Sequence, residues 1–579
     1  MRILLVLSIF QPFLVLSQNI LWGASEGKWI HDYGSDVTFD KQGNVYTSGY
    51  FPSGGQSHSY YIPLMGSTFF LEKHSPDGNL LWVKLISIPI NNGYFDVKTD
   101  VDSEDNVYIV GTFGWHLTLN DSISFFDNDG TGYGAGFIIK YSSQGDLLWA
   151  RKISDDFTIK AVTIDQLDNI YVAGHTRQTY IVADSINIED PFPDYWPDWD
   201  ISLVKYTKDG TFEWVRTAAT HKGDDYPTTL EMGPDNHIYM GARVDGSLFR
   251  YNFGEIDTLN IDLLNSVGSL IFEISNEGEL LHKFVVEGNI SDMAFDNNTG
   301  DLYASGSFLK KMYFDGEIRL QTEGTKLFEG FLAKYNNQKR PVWARKVGQS
   351  DFYIDVEGSD IFAVGNVFGV MTVDSFSVYT NSRHMYIAKF NNIGYTQWFK
   401  TVPIGNYGRL SSIAVSEQPI RAIAVTGAYS LLTLDLDGLL FTNNSGNDNT
   451  DYFLAYMHDY GEETCPDISP FISSDRNELC VGENAIIVAE NSFKYPVTWF
   501  KGNEVIGEIS SGNQIEAKES GNYHFIINDN SNCADTSATV SIRVIDFPDT
   551  TLNVTPKMVT CDNENIRINA VADQKYGYH

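Results

Sequence analysis

Two short phrases alternate along most of the chain, and their spacing limits the possible folds more than any other feature. The first runs from Asp through a polar turn into a Tyr-bearing strand and closes on Gly. It reads Asp40-Lys-Gln-Gly-Asn44-Val-Tyr46 to Gly49, Asp102-Ser-Glu-Asp-Asn106-Val-Tyr108 to Gly111, and Asp165 through Asn169-Ile-Tyr171 to Gly174. Looser copies close on Gly241, Gly306, Gly365 and Gly427, so the closing glycines fall 59 to 67 residues apart. The second phrase sets Lys on a strand, then a polar turn, then a strand ending in Trp. It appears as Phe70-Leu-Glu-Lys73 to Trp82 and Phe137-Ile-Ile-Lys140 to Trp149, with later copies ending at Trp214, Trp343 and Trp398. In the fourth copy His282 takes the Trp position.

Each unit therefore holds two hairpins. The Asp-x-x-Gly-Asn stretches supply residues that tolerate positive φ, and the flanking apolar residues alternate with period two. No helical period of useful length occurs. Four strands in about 64 residues, repeated seven times, are the signature of a β-propeller. The seventh unit has a third strand, Tyr452-Phe-Leu-Ala-Tyr456, but no Trp strand after it. Asn19-Ile-Leu-Trp22-Gly23 matches Asp146-Leu-Leu-Trp149-Ala150 and can supply the missing strand from the N-terminus. Such a closure pairs the open edges of the ring. The expected fold is all-β: a seven-bladed β-propeller closed by an N-terminal strand, followed by an immunoglobulin-like β-sandwich.

These two phrases resemble the bacterial β-propeller repeats known as SBBP repeats, over roughly residues 19–460 and most closely in the first three units. The resemblance implies a propeller and a secreted or surface setting. It implies no activity, because the residues shared are turn and packing residues.

The rest of the chain divides by composition. Met1-Arg2, a short apolar run and the small Ser17 read as a secretory signal peptide over 1–17, with the mature chain expected to begin at Gln18. The propeller is expected over 18–462. From Cys465 the repeat stops. Cys480, Trp499 and Cys533 on short alternating strands suggest an immunoglobulin-like sandwich over 463–546. This segment resembles the Ig-like and PKD-like modules that trail secreted proteins of Bacteroidetes-type bacteria, and on that resemblance Cys480 pairs with Cys533. Cys561-Asp-Asn-Glu564-Asn565 restarts the phrase found at Cys480, so 547–579 reads as the start of a second, truncated module. Cys465 and Cys561 have no assigned partner. In proteins of this appearance a type IX secretion sorting domain often follows, which the resemblance implies beyond His579.

Charge narrows the partners. The 579 residues carry a formal net charge of −35, whereas nucleic acids and anionic membranes are bound through basic surfaces. No apolar run after the leader is long enough to span a bilayer. A monomeric ring is expected, with carbohydrate or an extracellular protein as ligand.

Few residues point to chemistry. A Trp recurring at one place in successive strands reads as packing between repeats rather than as a set of sugar-stacking rings. The connections that follow the closing glycines should lie on the face opposite the hairpin turns, where propeller ligands commonly sit. The third is the most unusual: Glu189-Asp190-Pro191-Phe192-Pro193-Asp194-Tyr195-Trp196-Pro197-Asp198-Trp199-Asp200. Tyr195, Trp196 and Trp199 beside Asp194 and Asp198 suit carbohydrate or a cationic peptide, or else form a loop packed on its own aromatics. Tyr60, Tyr61 and Trp115 should share that face. Asp127 and Asp129 in Asp127-Asn-Asp129-Gly130 offer oxygen ligands for calcium without the full EF-hand spacing, and no other cofactor is expected. Asp100-x-Asp102-x-Glu104 looks similar, but Asp102 holds the strand-end position of Asp40 and Asp165 and reads as a turn cap. The 12 His show no metal-site spacing, and no nucleophile elbow, P-loop or dinucleotide motif occurs. The leading function is a secreted or cell-surface binding and scaffold protein without catalytic residues. The alternatives are a propeller enzyme acting on polysaccharide through paired carboxylates, as hydrolase or lyase, and a structural adhesin or spacer.

Overall fold

The computed structural model describes residues 20–545 except 28–30, 53–65, 89–96, 121, 129–133, 178–179, 183–185, 189–198, 221–222, 245–247, 254, 261–267, 310, 315–317, 323–327, 349–351, 375, 417–420, 446–448, 460–470, 491–496, 503, 510–513 and 529–533. Residues 1–17 and 547–579, read above as leader and truncated module, lie outside the described residues. The chain divides into two units, Met1–Asp459 and Tyr460–His579. Among the described residues there is no helix, so none is long and apolar enough to cross a membrane.

Unit one is built from antiparallel four-stranded sheets of the kind that form propeller blades. Each takes one copy of the two phrases. The first is Tyr33–Phe39, Val45–Phe51, Ser67–His74 and Leu80–Ile88, paired in chain order. Among the described residues four of these sheets stop at four strands and three, the first included, are extended to six by a further hairpin, and the first strands of successive sheets touch one another in a closed cycle. Second strands such as Val45–Phe51 and Val107–Phe113 are buried on both faces, while fourth strands such as Leu80–Ile88 are half-exposed. That gradient follows from position: inner strands have a sheet packed on each side, and outer strands meet water on an edge.

The last sheet is completed from the other end of the chain. Arg409–Ser416, Ala422–Tyr429 and Asp451–His458 are joined by Ile20–Glu26, which pairs antiparallel with Asp451–His458. Trp22 stacks on Tyr456 with ring centroids 4.9 Å apart, and the Ile20 amide donates to the Asp437 carboxylate at 2.7 Å.

The repeated residues have shared geometric jobs. Asp102 accepts the amides of Glu104 and Asn106 at 3.0 and 2.9 Å and pairs with Lys140 at 2.8 Å. Asp40 does the same with Gln42, Asn44 and Lys73. These carboxylates cap turns and neutralise a buried lysine. The lysine and the tryptophan of a sheet then donate together to one carbonyl in the next sheet's turn. Lys73 and Trp82 both reach Ser143 O at 3.1 Å, Lys140 and Trp149 reach Lys208 O, and Lys205 and Trp214 reach Asn276 O. The recurring Trp is thus an inter-sheet clasp.

The closing Gly is required by a close approach. A Cβ on Gly306 would land on the carbonyl oxygen of Asn289, and one on Gly427 on that of Arg409. Both face a β-bulge in the first strand of their sheet, where the extra residue pushes the backbone inward.

Unit two holds a three-stranded sheet of Phe471–Ser474, Ala485–Glu490 and Gln514–Ala517. Its other sheet contains Glu478–Cys480, Val497–Lys501, Glu504–Ile509, Gly521–Asn528 and Val540–Ile545. Their shared core holds Ile487, Phe525 and the fully buried Trp499. Glu478–Cys480 runs parallel to Val540–Ile545, and the Tyr523 hydroxyl donates to the Glu519 carbonyl at 2.8 Å. Among the described residues Cys480 is a free, exposed thiol. Cys533, expected as its partner, lies outside the described residues, as do Cys465 and Cys561.

Candidate functional site

The first strands enclose a cavity of about 320 Å³ whose walls are polar. Alternation puts one side chain in two of each first strand towards it. Asp36, Asp100, Glu231, Asp292 and Asp355 reach it from five different sheets, against two lysines, Lys98 and Lys160. Acidic groups thus outnumber basic ones along the cavity wall.

Most of these carboxylates bridge neighbouring sheets. Asp292 accepts the Met293 and Ile354 amides at 3.0 Å and the Thr229 hydroxyl at 3.1 Å. Asp355 accepts the Val356 and Val415 amides, each at 2.7 Å, and Asp36 accepts the Thr99 amide at 2.9 Å and the Ser412 hydroxyl at 2.7 Å. At Asp292 and Asp355 desolvation outweighs those amides and raises the two carboxyls to about 6 and about 7. Asp100 rises to about 7, again by desolvation, with Asp36 and Asp102 adding repulsion. Glu231 accepts no hydrogen bond among the described residues. Burial and the charges of Asp292, Asp355, Asp100 and Asp36 push its pKa well above the ordinary value.

A pH dependence follows. With folded pKa values above the unfolded one, the native state keeps protons that the unfolded chain has released. The stability these groups confer is complete below about pH 4 and is lost as pH rises through 6 to 7. Asp355→Asn should flatten the fall in Tm between pH 5 and pH 8 by about 1–3 °C in differential scanning fluorimetry. An unchanged slope would show that Asp355 does not hold a proton in that range.

On the face opposite the Asp-x-x-Gly-Asn turns, aromatic rings meet cations at the seam between the third and fourth sheets. Arg177 lies over the Trp199 ring at 5.5 Å, and Lys160 and Arg243 lie over Tyr226 at 5.8 and 5.6 Å. Arg243 also donates to the Tyr226 hydroxyl at 2.8 Å. His175 is buried between them, its ring centroid 3.9 Å from that of Trp199. Burial first, then Lys160 and Arg177, lower its pKa to about 2, so it is neutral. A smaller cluster at the seam of the seventh and first sheets sets Arg409 over Tyr33 at 4.1 Å, with His31 and Tyr407 alongside.

The structure separates the residues singled out from sequence. Trp199 does not sit in a loop: it opens the strand Trp199–Tyr206, opposite Arg177. Part of the third connection forms the hairpin Tyr180–Val182 and Ile186–Ile188, which laps onto the outer strand of the preceding sheet. Asp194, Tyr195, Trp196, Asp198, Tyr60, Tyr61 and Asp129 lie outside the described residues. Trp115 is exposed, with φ of 65°, just before the strand His116–Asn120. Asp127 is buried and its amide donates to the Trp115 carbonyl at 3.0 Å. Asp100, singled out only as part of a calcium-loop look-alike, lines the cavity instead, and sequence reasoning did not single out Asp36, Glu231, Asp292, Asp355, Tyr226 or Arg243. Their signal was acidic residues at alternating positions of otherwise apolar first strands.

No family model matches the chain. It is 27% identical over 204 residues to an uncharacterized WD repeat-containing protein of Acanthamoeba polyphaga mimivirus, covering 31% of this chain and 14% of that protein's length. Among solved structures, a streptogramin B lyase is 12% identical with a TM-score of 0.34, over 75% of this chain and 97% of that one. The polysaccharide lyase Uly1 is 8% identical with a TM-score of 0.40, over 76% and 99%.

Proposed function

We propose that the chain is a secreted or cell-surface binding and scaffold protein without catalytic residues. Its architecture in this reading is a seven-bladed β-propeller of SBBP-type repeats, followed by an immunoglobulin-like module of Bacteroidetes type. The closed cycle of first strands supports the ring, and the Tyr523 hydroxyl bond and buried Trp499 support the sandwich. The basic start, apolar run and small Ser17 of the first residues support export. The observation that carries the binding role is the seam of Trp199, Tyr226, Arg177 and Arg243 on the loop face. Rings with half-exposed faces and adjacent cations suit a carbohydrate bearing a carboxylate or sulfate, or an acidic segment of an extracellular protein. A glycan array probed with wild type, Trp199→Ala and Tyr226→Ala tests this. Loss of about tenfold or more in binding is expected for each variant, as for truncating a central aromatic contact. Equal binding by all three would remove the site.

A polysaccharide-cleaving enzyme is the second reading, favoured by one observation: Glu231 is a raised-pKa carboxyl without a hydrogen bond among the described residues, facing other carboxylates across the cavity. Release of new chain ends from an acidic polysaccharide by wild type, abolished in Glu231→Gln, would select it.

A further inference from the structure

The fourth sheet breaks the inter-sheet clasp. Opposite the strand Tyr four sheets place a lysine, Lys73, Lys140, Lys205 and Lys334, and a fifth places Lys389 opposite Phe362 at the same position. The fourth places Glu273 there, opposite Tyr239, and His282 replaces the Trp beside it. Among the described residues neither side chain bonds to the fifth sheet's turn. The capping carboxylate has also moved. Gly233 stands at the position of Asp40, Asp235 enters two residues later, and His237 takes the place of Asn44.

The result is a local inversion of charge. Where other sheets hold Asp against Lys, this turn holds two carboxylates around an imidazole. His237 Nδ1 is 2.9 Å from Glu273 and 3.6 Å from Asp235, and one ligand atom from each of the three lies within 4.8 Å of the others. The cluster is open to water on one side: Asp235 is exposed, and His237 and Glu273 are half-buried. Neighbours fix its parts. Tyr239 donates its hydroxyl to Asp235 at 2.8 Å, and the His237 amide donates to the other oxygen at 3.2 Å. The nearest cation is Lys339 of the fifth sheet. Its Nζ is 3.9 Å from Asp235 and lies over the Tyr239 ring at 4.6 Å, at the outer limit of an ion pair.

The geometry points to a divalent transition-metal site formed by Asp235, His237 and Glu273, with water completing the coordination. One imidazole nitrogen and two carboxylate oxygens suit zinc or manganese better than calcium, which favours an all-oxygen set. Zinc bonds of about 2.0–2.2 Å set tetrahedral donors about 3.3–3.6 Å apart, so small side-chain rotations from the present separations bring all three onto one ion. The ion takes the lone pair of Nδ1, whose proton leaves or moves to Nε2, and it supplies the positive charge that lysine supplies in the other sheets.

Tag-free, chelator-treated protein titrated with zinc chloride and manganese chloride by calorimetry, with bound metal counted after dialysis, tests the site. One equivalent per chain is expected for one of the two metals. His237→Ala and Glu273→Gln should each weaken it at least tenfold, and Lys339→Ala should tighten it by removing a competing charge. Two results overturn the assignment: no retained ion in wild type, or a full equivalent retained by the His237→Ala/Glu273→Gln double variant. The variants lie on a turn and at a half-buried strand position, and matching far-ultraviolet spectra will confirm that they fold.

Discussion

A chain beginning at Gly27 instead of Gln18 is expected to unfold at a much lower temperature and to aggregate. Removing Ile20–Glu26 takes away a whole strand whose partners run from Ile20 opposite Met457 to Glu26 opposite Tyr452. It also removes the Trp22 stack on Tyr456, the Trp22 Nε1 bond to the Pro76 carbonyl at 2.8 Å and the Ser25–Tyr429 hydroxyl pair at 3.0 Å. The Pro76 bond matters most, because it ties the last sheet to the first. Several backbone hydrogen bonds at about 1 kcal/mol each, with loss of the buried Ile20 and the Trp22 contacts, amount to on the order of 5 kcal/mol or more. The strand left behind, Asp451–His458, is apolar and becomes an open edge able to pair with another copy. Scanning fluorimetry and size-exclusion chromatography give the readout. A synthetic peptide of residues 18–27 added in excess should restore part of the stability by strand addition. A truncated chain that stays monomeric with an unchanged Tm would show that this strand does not hold unit one together.

Trp499→Ala should unfold unit two. Trp499 is fully buried, its ring centroid 5.2 Å from that of Phe525, in a core that includes Ile487, Val497 and Ile542. Truncating a buried Trp costs about 3–5 kcal/mol, as much as a single small core of this size supplies. Hydrogen exchange followed by mass spectrometry should find protection lost in Val497–Lys501 and Gly521–Asn528. Retained protection in those strands would mean that the core collapses around the gap.

The repeat was legible because its residues answer to local rules. Asp at a strand end followed by Gly-Asn states a turn, and a Tyr strand with period two states a strand with two buried faces. Even the strand supplied from the N-terminus could be read, since Ile-Leu-Trp22 carries the same pattern as Leu-Leu-Trp149. The candidate sites were less legible. Trp199 drew attention as a loop aromatic, yet it opens a strand, because a connection that forms a hairpin on the preceding sheet leaves Trp199 to pair with Arg177. In the fourth unit Glu273 and His237 depart from the repeat, and sequence analysis did not single them out. Only their convergence gives the substitutions a shared meaning.

Sequence alone determined the all-β character, the period of the units and the placement of turn and clasp residues, since these depend on contacts within one hairpin or on a pattern repeated at fixed spacing. Tertiary structure decided what Asp36, Asp100, Glu231, Asp292 and Asp355 do. They come from sheets far apart in the chain and meet only when the first strands touch in a cycle. The raised pKa values of Asp100, Glu231, Asp292 and Asp355 arise first from burial, with repulsion from neighbouring carboxylates added at Asp100, Glu231 and Asp355, a long-range effect that no local pattern encodes.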